Sequence, residues 1–67
     1  MSYDCSYDFK NKKKRKQYRY VVIQDGDLDF NNAILLRSID DIKKCFHGRE
    51  YEIQAIIRID RFVEMIE

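Results

Sequence analysis

The sequence predicts a small α+β domain of order β-β-α-β, in which one helix covers one face of a three-stranded, mainly antiparallel sheet. Apolar and polar residues alternate over residues 51–59, which is typical of a strand with one apolar face. A run of β-branched and aromatic residues over 18–24 indicates another strand. Between these two runs, Ile39, Ile42 and Phe46 recur at helical spacing.

The length and the cysteine content suggest that a partner completes the core. A chain of 67 residues is close to the size at which folding buries only about 60% of the unfolded surface. The two cysteines, Cys5 and Cys45, lack the spacing of a metal site, so reduced thiols in the cytoplasm are expected. Because neither a metal nor a disulfide framework is then expected to stabilise the small core, we expect a homodimer. No apolar run approaches the roughly 18 residues of a membrane span, and no signal peptide is recognisable. We therefore expect a cytoplasmic localisation and no membrane partner.

The charge is distributed unevenly along the chain. Residues 1–19 hold seven basic and two acidic residues, whereas residues 20–67 hold six basic and ten acidic residues. The net charges of +5 and −4 indicate a flexible basic N-terminal arm over residues 1–17, followed by a single α+β domain over residues 18–67. For residues 1–9, disorder is the default expectation, and an edge strand or a docking segment is the alternative.

The first half of the domain contains a turn and an ambiguous segment. Asp25-Gly26 suits the positive φ angles of a tight hairpin after the strand over 18–24. Residues 28–36 then form either a second strand or, with Asp29 as a cap, part of one helix over 29–47. We prefer the strand, because Ser38 followed by Asp41 resembles a capping box that begins a separate helix over 39–47.

The second half contains that helix and the last strand. Gly48 is placed to end the helix in a left-handed conformation. Strand pairing beside the first strand predicts the order 2-1-3, and residues 60–67 either continue the last strand or form a helical turn. One face of this strand should pack on the helix through Tyr51, Ile53, Ala55, Ile57 and Ile59. The opposite face of the sheet, with Ile56 and Phe62, would then stay uncovered.

Few residues offer catalytic or metal chemistry. His47 lies at the expected helix end, and Cys45 lies beside Phe46, where a buried thiol is the simpler interpretation. The alternating Asp25, Asp27 and Asp29, with Gly26, resemble a calcium loop only superficially, because the required glycine and glutamate positions are not filled. We expect no enzymatic activity, no cofactor and no metal.

Two sets of charged and apolar residues are candidates for binding. The first set could follow a phosphate backbone or another polyanion, with tyrosine stacking on bases, and it comprises Lys10, Lys12, Lys13, Lys14, Arg15, Lys16, Tyr18 and Arg19. The second set would form a protein interface on the last strand and the acidic turn, and it comprises Ile56, Arg58, Arg61, Phe62, Asp25, Asp27 and Asp29.

The chain resembles the small host-modulating proteins encoded by bacteriophages. The resemblance rests on size, on a proline-free composition rich in Lys, Asn, Ile and Asp, and on the order of residues 18–24, Asp25-Gly26, 38–46 and 51–59. Among these proteins, the phage inhibitors of uracil-DNA glycosylase are similar in having a hairpin, one helix and a last strand. Their body is more acidic and they lack such a basic arm. The resemblance implies a protein that binds and alters one host enzyme or nucleoprotein.

Two hypotheses of function follow from the sequence. The first is a non-enzymatic interaction module, of phage or mobile-element type, that binds and inhibits or redirects a host protein. The second is a small nucleic-acid-binding or transcription-regulating protein that uses the basic arm.

Overall fold

The computed structural model describes residues 5–66, which form four strands and three α-helices. In chain order these are β1 (Cys5–Ser6), α1 (Lys12–Arg15), β2 (Tyr20–Gln24), β3 (Ile34–Leu36), α2 (Ile39–Cys45), a 3₁₀ turn (Glu50–Glu52), β4 (Ile53–Arg58) and α3 (Ile59–Ile66). Residues 1–4 and 67 of the predicted arm and domain lie outside the described residues.

All neighbouring strands pair antiparallel, in the order β1-β3-β2-β4. The predicted order of the three longer strands is confirmed, but the prediction of a three-stranded sheet is wrong. The fourth strand is β1, in which Cys5 pairs with Leu36 and Ser6 with Leu35. Strand β1 and helix α1 both lie in the segment that the charge pattern assigned to an arm, so at least part of that segment is folded.

Strand β2 is the centre of the molecule because both of its faces are buried. Val21 and Ile23 point to one face of the sheet, and Val22 points to the other. All three are buried. A continuous apolar run of this kind is typical of a strand that is covered on both sides.

Helices cover both faces of the sheet, whereas the sequence predicted a helix on one face only. The α2-side core consists of buried residues from the sheet and α2, namely Val22, Ile34, Leu36, Ile42 and Phe46. The α3-side core comprises Tyr18, Val21, Ile23, Ala33, Leu35 and Phe62. Helix α3 buries Phe62 on the second face, whereas Ile56 lies opposite Val22 on the α2 side and stays 46% exposed, so the prediction that these two residues share an uncovered face is wrong.

Helix α2 forms where its N-cap and its apolar face predict it. The Ser38 hydroxyl accepts a hydrogen bond from the Asp41 N–H at 3.1 Å, which satisfies a free donor of the first turn. Ile42 and Phe46 are buried, but Ile39 is 42% exposed and does not anchor the helix as expected. Gly48 has a φ of 76°, as predicted for a residue that follows a helix end.

A bulge in β4 changes which residues share a face. Ala55 lies opposite Ile23, but Ile53 lies opposite Gln24, so one extra residue is inserted at this point of β4. Ile53 therefore packs on the α2-side core, while Ala55 and Ile57 pack on the α3-side core. The prediction that these residues and Tyr51 share one face is wrong, and Tyr51 itself is exposed in the 3₁₀ turn.

The two ambiguous segments have definite structures. The strand interpretation of residues 28–36 is confirmed for β3, and a loop over residues 25–33 replaces the tight hairpin that Asp25-Gly26 predicted. Gly26 has a φ of 82° in this loop. Residues 59–66 form helix α3 rather than an extension of the strand. It begins directly after β4, and its Phe62 is completely buried.

Candidate functional site

Among the strands of residues 5–66, β4 lies at the edge of the sheet and pairs only with β2. The Ile59 N–H donates to the Arg19 carbonyl at 2.8 Å, which extends the β2–β4 ladder by one pair. Bonded and non-bonded pairs alternate along an antiparallel ladder. Ala55 and Ile57 therefore bond to β2, whereas the N–H and C=O groups of Ile56 and the N–H of Arg58 point away from it. The Arg58 C=O directly precedes α3 and accepts the first hydrogen bond of that helix.

The side chains beside these outward groups are accessible. Gln54, Ile56 and Arg58 are all exposed, and Ile56 is 46% exposed although it is a large apolar residue. The Arg58 guanidinium contacts the Asp60 carboxylate at 3.6 Å, with both side chains largely in solvent. Such a pair contributes little stability. The edge thus combines outward backbone groups with an apolar side chain, and its charge protection is weak.

A shallow groove of about 390 Å³ runs along this edge on the α3 side, lined by Ile57, Arg61, Glu64 and Met65. The three α3 residues share one face of the helix, because they are three and four positions apart. Arg61 was in the interface set predicted from the sequence, whereas Ile57, Glu64 and Met65 were not. Helical spacing over 59–66 was the signal that could have found them.

Phe62 belongs to the protein core and not to an interface. It is 0% exposed and its ring lies on the α3-side core. The prediction that Phe62 is a surface contact assumed that the strand continues past Ile59. In a helix, Phe62 points to the sheet while Arg61 points elsewhere.

A second surface is basic and begins at α1. Asn11 caps this helix by accepting hydrogen bonds from Lys13 N–H at 3.0 Å and Lys14 N–H at 3.2 Å. A shallow groove of about 460 Å³ separates α1 from the start of α3. Its lining consists of Lys12, Arg15, Lys16, Ile59, Asp60 and Val63.

An adjoining groove of about 420 Å³ is lined by Arg19, Tyr20, Arg58, Ile59 and Asp60. Since Ile59 and Asp60 border both grooves, the two form one surface, which we call the basic groove. Among residues 5–66, five cationic side chains line it and Asp60 is the only acidic residue in its lining. Arg58, which the sequence analysis assigned to the protein interface, therefore also belongs to this surface.

The remaining predicted polyanion-binding residues fall outside the basic groove or inside the protein. Lys10, Lys13 and Lys14 are exposed but do not line it. Arg15 lines the groove, but its side chain is only 8% exposed, so little of it is accessible to a ligand. Tyr18 is 6% exposed and packs in the α3-side core beneath the Arg37 guanidinium, 5.6 Å from its ring centre. Its ring is therefore not available for stacking on bases, contrary to the prediction.

The acidic turn is organised by one carboxylate. The Asp27 side chain accepts hydrogen bonds from the Asn31 N–H and the Asn32 N–H, each at 2.9 Å. Asp25 and Asp29 are exposed. Asp27 thus closes the loop over residues 25–33, and the other two carboxylates are the ones accessible to a partner.

Groups with catalytic potential are dispersed. Within residues 5–66, no cluster of three or more His, Cys, Asp or Glu side chains could hold a metal ion. His47 is exposed just after α2. Cys5 and Cys45 are partly buried and pack against the α2-side core.

Comparison with protein-family models, with curated proteins and with solved structures finds no match. No helix in the described part of the chain has the length and apolar character needed to cross a membrane.

Proposed function

We propose that this chain is a non-enzymatic interaction module that binds another protein by strand addition along β4. In keeping with the resemblance to phage host-modulating proteins, the target is a cytoplasmic host protein that the chain inhibits or redirects. The observation that carries the proposal is the open edge of β4, where both backbone groups of Ile56 and the N–H of Arg58 point away from β2. An extended segment of the target would pair with these groups.

The side chains of the edge supply selectivity. Strand addition takes its affinity from backbone hydrogen bonds and its specificity from side chains at alternate positions. Ile56 would contact an apolar residue of the target on the α2 side of the sheet. On the α3 side, the groove beside Ile57 would accept another side chain, with Arg61 and Glu64 at its rim. The binding segment is therefore expected to be extended and apolar at alternate positions.

The test is capture of the target followed by substitution at the edge. Ile56→Lys places a charge on the contact, and Ile39→Lys is a matched control because Ile39 is similarly exposed, at 42%, on a different element. We expect Ile56→Lys to weaken target binding by at least about tenfold, and Ile39→Lys to leave it within about twofold. Circular dichroism checks that both variants are folded. Equal affinities for the two variants would contradict strand addition at β4.

A second candidate function is nucleic-acid binding through the basic groove. The observation that favours it is the convergence of cations from α1, β2 and β4 on one surface, which joins Lys12 and Lys16 to Arg19 and Arg58. A phosphate backbone that follows this surface would release counterions, so its binding would weaken steeply with salt.

Two lysine pairs, taken from α1 and its C-cap Lys16, provide a matched test of this second function. Lys12 and Lys16 line the groove, whereas Lys13 and Lys14 do not. We expect Lys12→Gln with Lys16→Gln to reduce the slope of log affinity against log salt by about 1.4 to 1.8. Lys13→Gln with Lys14→Gln should change it less. Equal slopes for the two variants would mean that the grooves do not position the nucleic acid.

A further inference from the structure

We propose that β4 also pairs with β4 of a second copy of this chain, antiparallel about a two-fold axis at Ile56. The resulting dimer has one continuous sheet of eight strands. The pairing itself stands on the geometry of the edge. Its regulatory consequence, that the dimer and the target compete for β4, rests on the function proposed above.

The pattern of hydrogen bonds restricts the register. Only outward N–H and C=O groups can form the hydrogen bonds of a new ladder, and in β4 these include both groups of Ile56 and the N–H of Arg58. An axis at Arg58 would place two arginines opposite each other, which is unfavourable. An axis at Ile56 places Ile56 opposite its own copy and Arg58 opposite Gln54. The new pairing then centres on residues 55–57, which lie on the regular part of β4 beyond the bulge at Gln54.

The α3 side of the edge is complementary to itself. A two-fold axis perpendicular to the sheet keeps α3 and its copy on the same face and makes them antiparallel neighbours. The two grooves that are each lined by Ile57, Arg61, Glu64 and Met65 then face each other. Arg61 of one copy approaches Glu64 of the other, and the two Met65 side chains provide apolar surface between the helices. Because each groove carries both a positive and a negative side chain, Arg61 and Glu64, two copies of the groove are complementary to each other, which favours a second copy of the chain as the partner at this edge.

Pairing of two copies would bury the open edge of β4. Exposed edge strands promote unwanted association unless they are covered, and small domains gain stability from a partner subunit. Ile56 and Met65, which are exposed large apolar residues in the single chain, both become covered. A target segment must then displace the second copy, so the apparent affinity for the target falls as the chain becomes more concentrated.

Sedimentation or light scattering over a concentration series tests the dimer. We expect the mass to rise from 8.2 kDa towards twice that value with concentration. Ile56→Lys should weaken the dimer by about tenfold or more, while Ile39→Lys leaves it within about twofold. A mass of 8.2 kDa that persists to near-millimolar concentration overturns the proposal. A persistent monomer would leave the proposed function intact, because target binding is measured separately and β4 of a monomer stays open to the target.

The register has its own test by nuclear magnetic resonance on a mixture of labelled and unlabelled chains. With the axis at Ile56, Ala55 of one copy lies opposite Ile57 of the other as a non-bonded pair, in which the two residues approach most closely. We expect an interchain contact between their α-protons. A dimer that lacks this contact, or one that Ile56→Lys does not weaken, overturns pairing through β4.

Discussion

The ring of Phe9 meets the ring of Phe62 edge to face, with centroids 5.4 Å apart and ring planes at 84°. Phe30 meets the same ring at 5.5 Å and 75°. Three distant parts of the chain, namely the N-terminal segment, the loop over residues 25–33 and helix α3, therefore converge on one buried side chain. The stability of each part should depend on Phe62.

Replacing Phe62 with alanine should be the most destabilising of the substitutions considered. Loss of a fully buried Phe side chain costs about 3–5 kcal/mol, which is a large part of the stability of so small a domain. Met65→Ala is the control on the same helix, because Met65 is exposed and should change the free energy of unfolding by less than about 0.5 kcal/mol. Chemical denaturation measures both. Similar values for the two variants would mean that α3 does not pack as described.

Phe9→Ala tests whether the N-terminal segment contributes to the fold. Phe9 is half-buried against the α3-side core, so we expect a loss of about 1–2 kcal/mol from reduced apolar burial and the lost aromatic pair. Tyr7→Ala, at an exposed position nearby, should have little effect. If Phe9→Ala is as harmless as Tyr7→Ala in denaturation experiments, the segment behaves as a free arm.

Ser38→Ala should destabilise the protein by about 1 kcal/mol, because it leaves the Asp41 N–H without its capping acceptor. Ser38→Asp keeps an acceptor at the same position and should restore most of that stability. Denaturation of the three proteins provides the measurement. An alanine variant as stable as the original chain would show that the cap contributes nothing.

Asp27→Ala should loosen the loop over residues 25–33. It removes the acceptor of two backbone hydrogen bonds, and we expect a loss of about 1–2 kcal/mol because the site is partly solvated. Amide exchange at Asn31 and Asn32 should accelerate. Asp29→Ala changes an exposed carboxylate of the same loop and serves as the control. Unchanged exchange at both asparagines would contradict the assigned role of Asp27.

The elements that the sequence predicted correctly depend on interactions within a few residues. Ser38 reaches an N–H three positions on, and Gly48 adopts a φ of 76° that suits a residue without a β-carbon. The run over 18–24 is apolar on both faces and so predicts a buried strand wherever it pairs. For the candidate sites, the sequence selected Ile56 and Arg58 correctly as exposed residues of an edge strand.

The wrong predictions concern segments whose residue pattern is too short or too ambiguous to indicate a strand or a helix. Strand β1 has two residues, which is less than one full alternation of side chains. Residues 59–66 are apolar at positions compatible with either a strand or a helix, so Phe62 was placed on the surface when it is buried. Tyr18 was similarly assigned to base stacking, because its neighbours in the sequence are cations while its neighbours in the fold are apolar.

The sequence by itself determined the central strand β2 and the N-cap of α2, because capping and apolar patterning act over short distances. It also predicted the order of the three longer strands, because pairing the last strand beside the first keeps the whole sheet antiparallel. Only the tertiary structure decided the faces of β4. The extra residue opposite Gln24 turns Ile53 towards α2 while Ala55 and Ile57 stay towards α3. Side-chain direction in a strand reverses with every residue, so one inserted position reassigns a side chain to the other face of the sheet, and that insertion exists only in the pairing with β2.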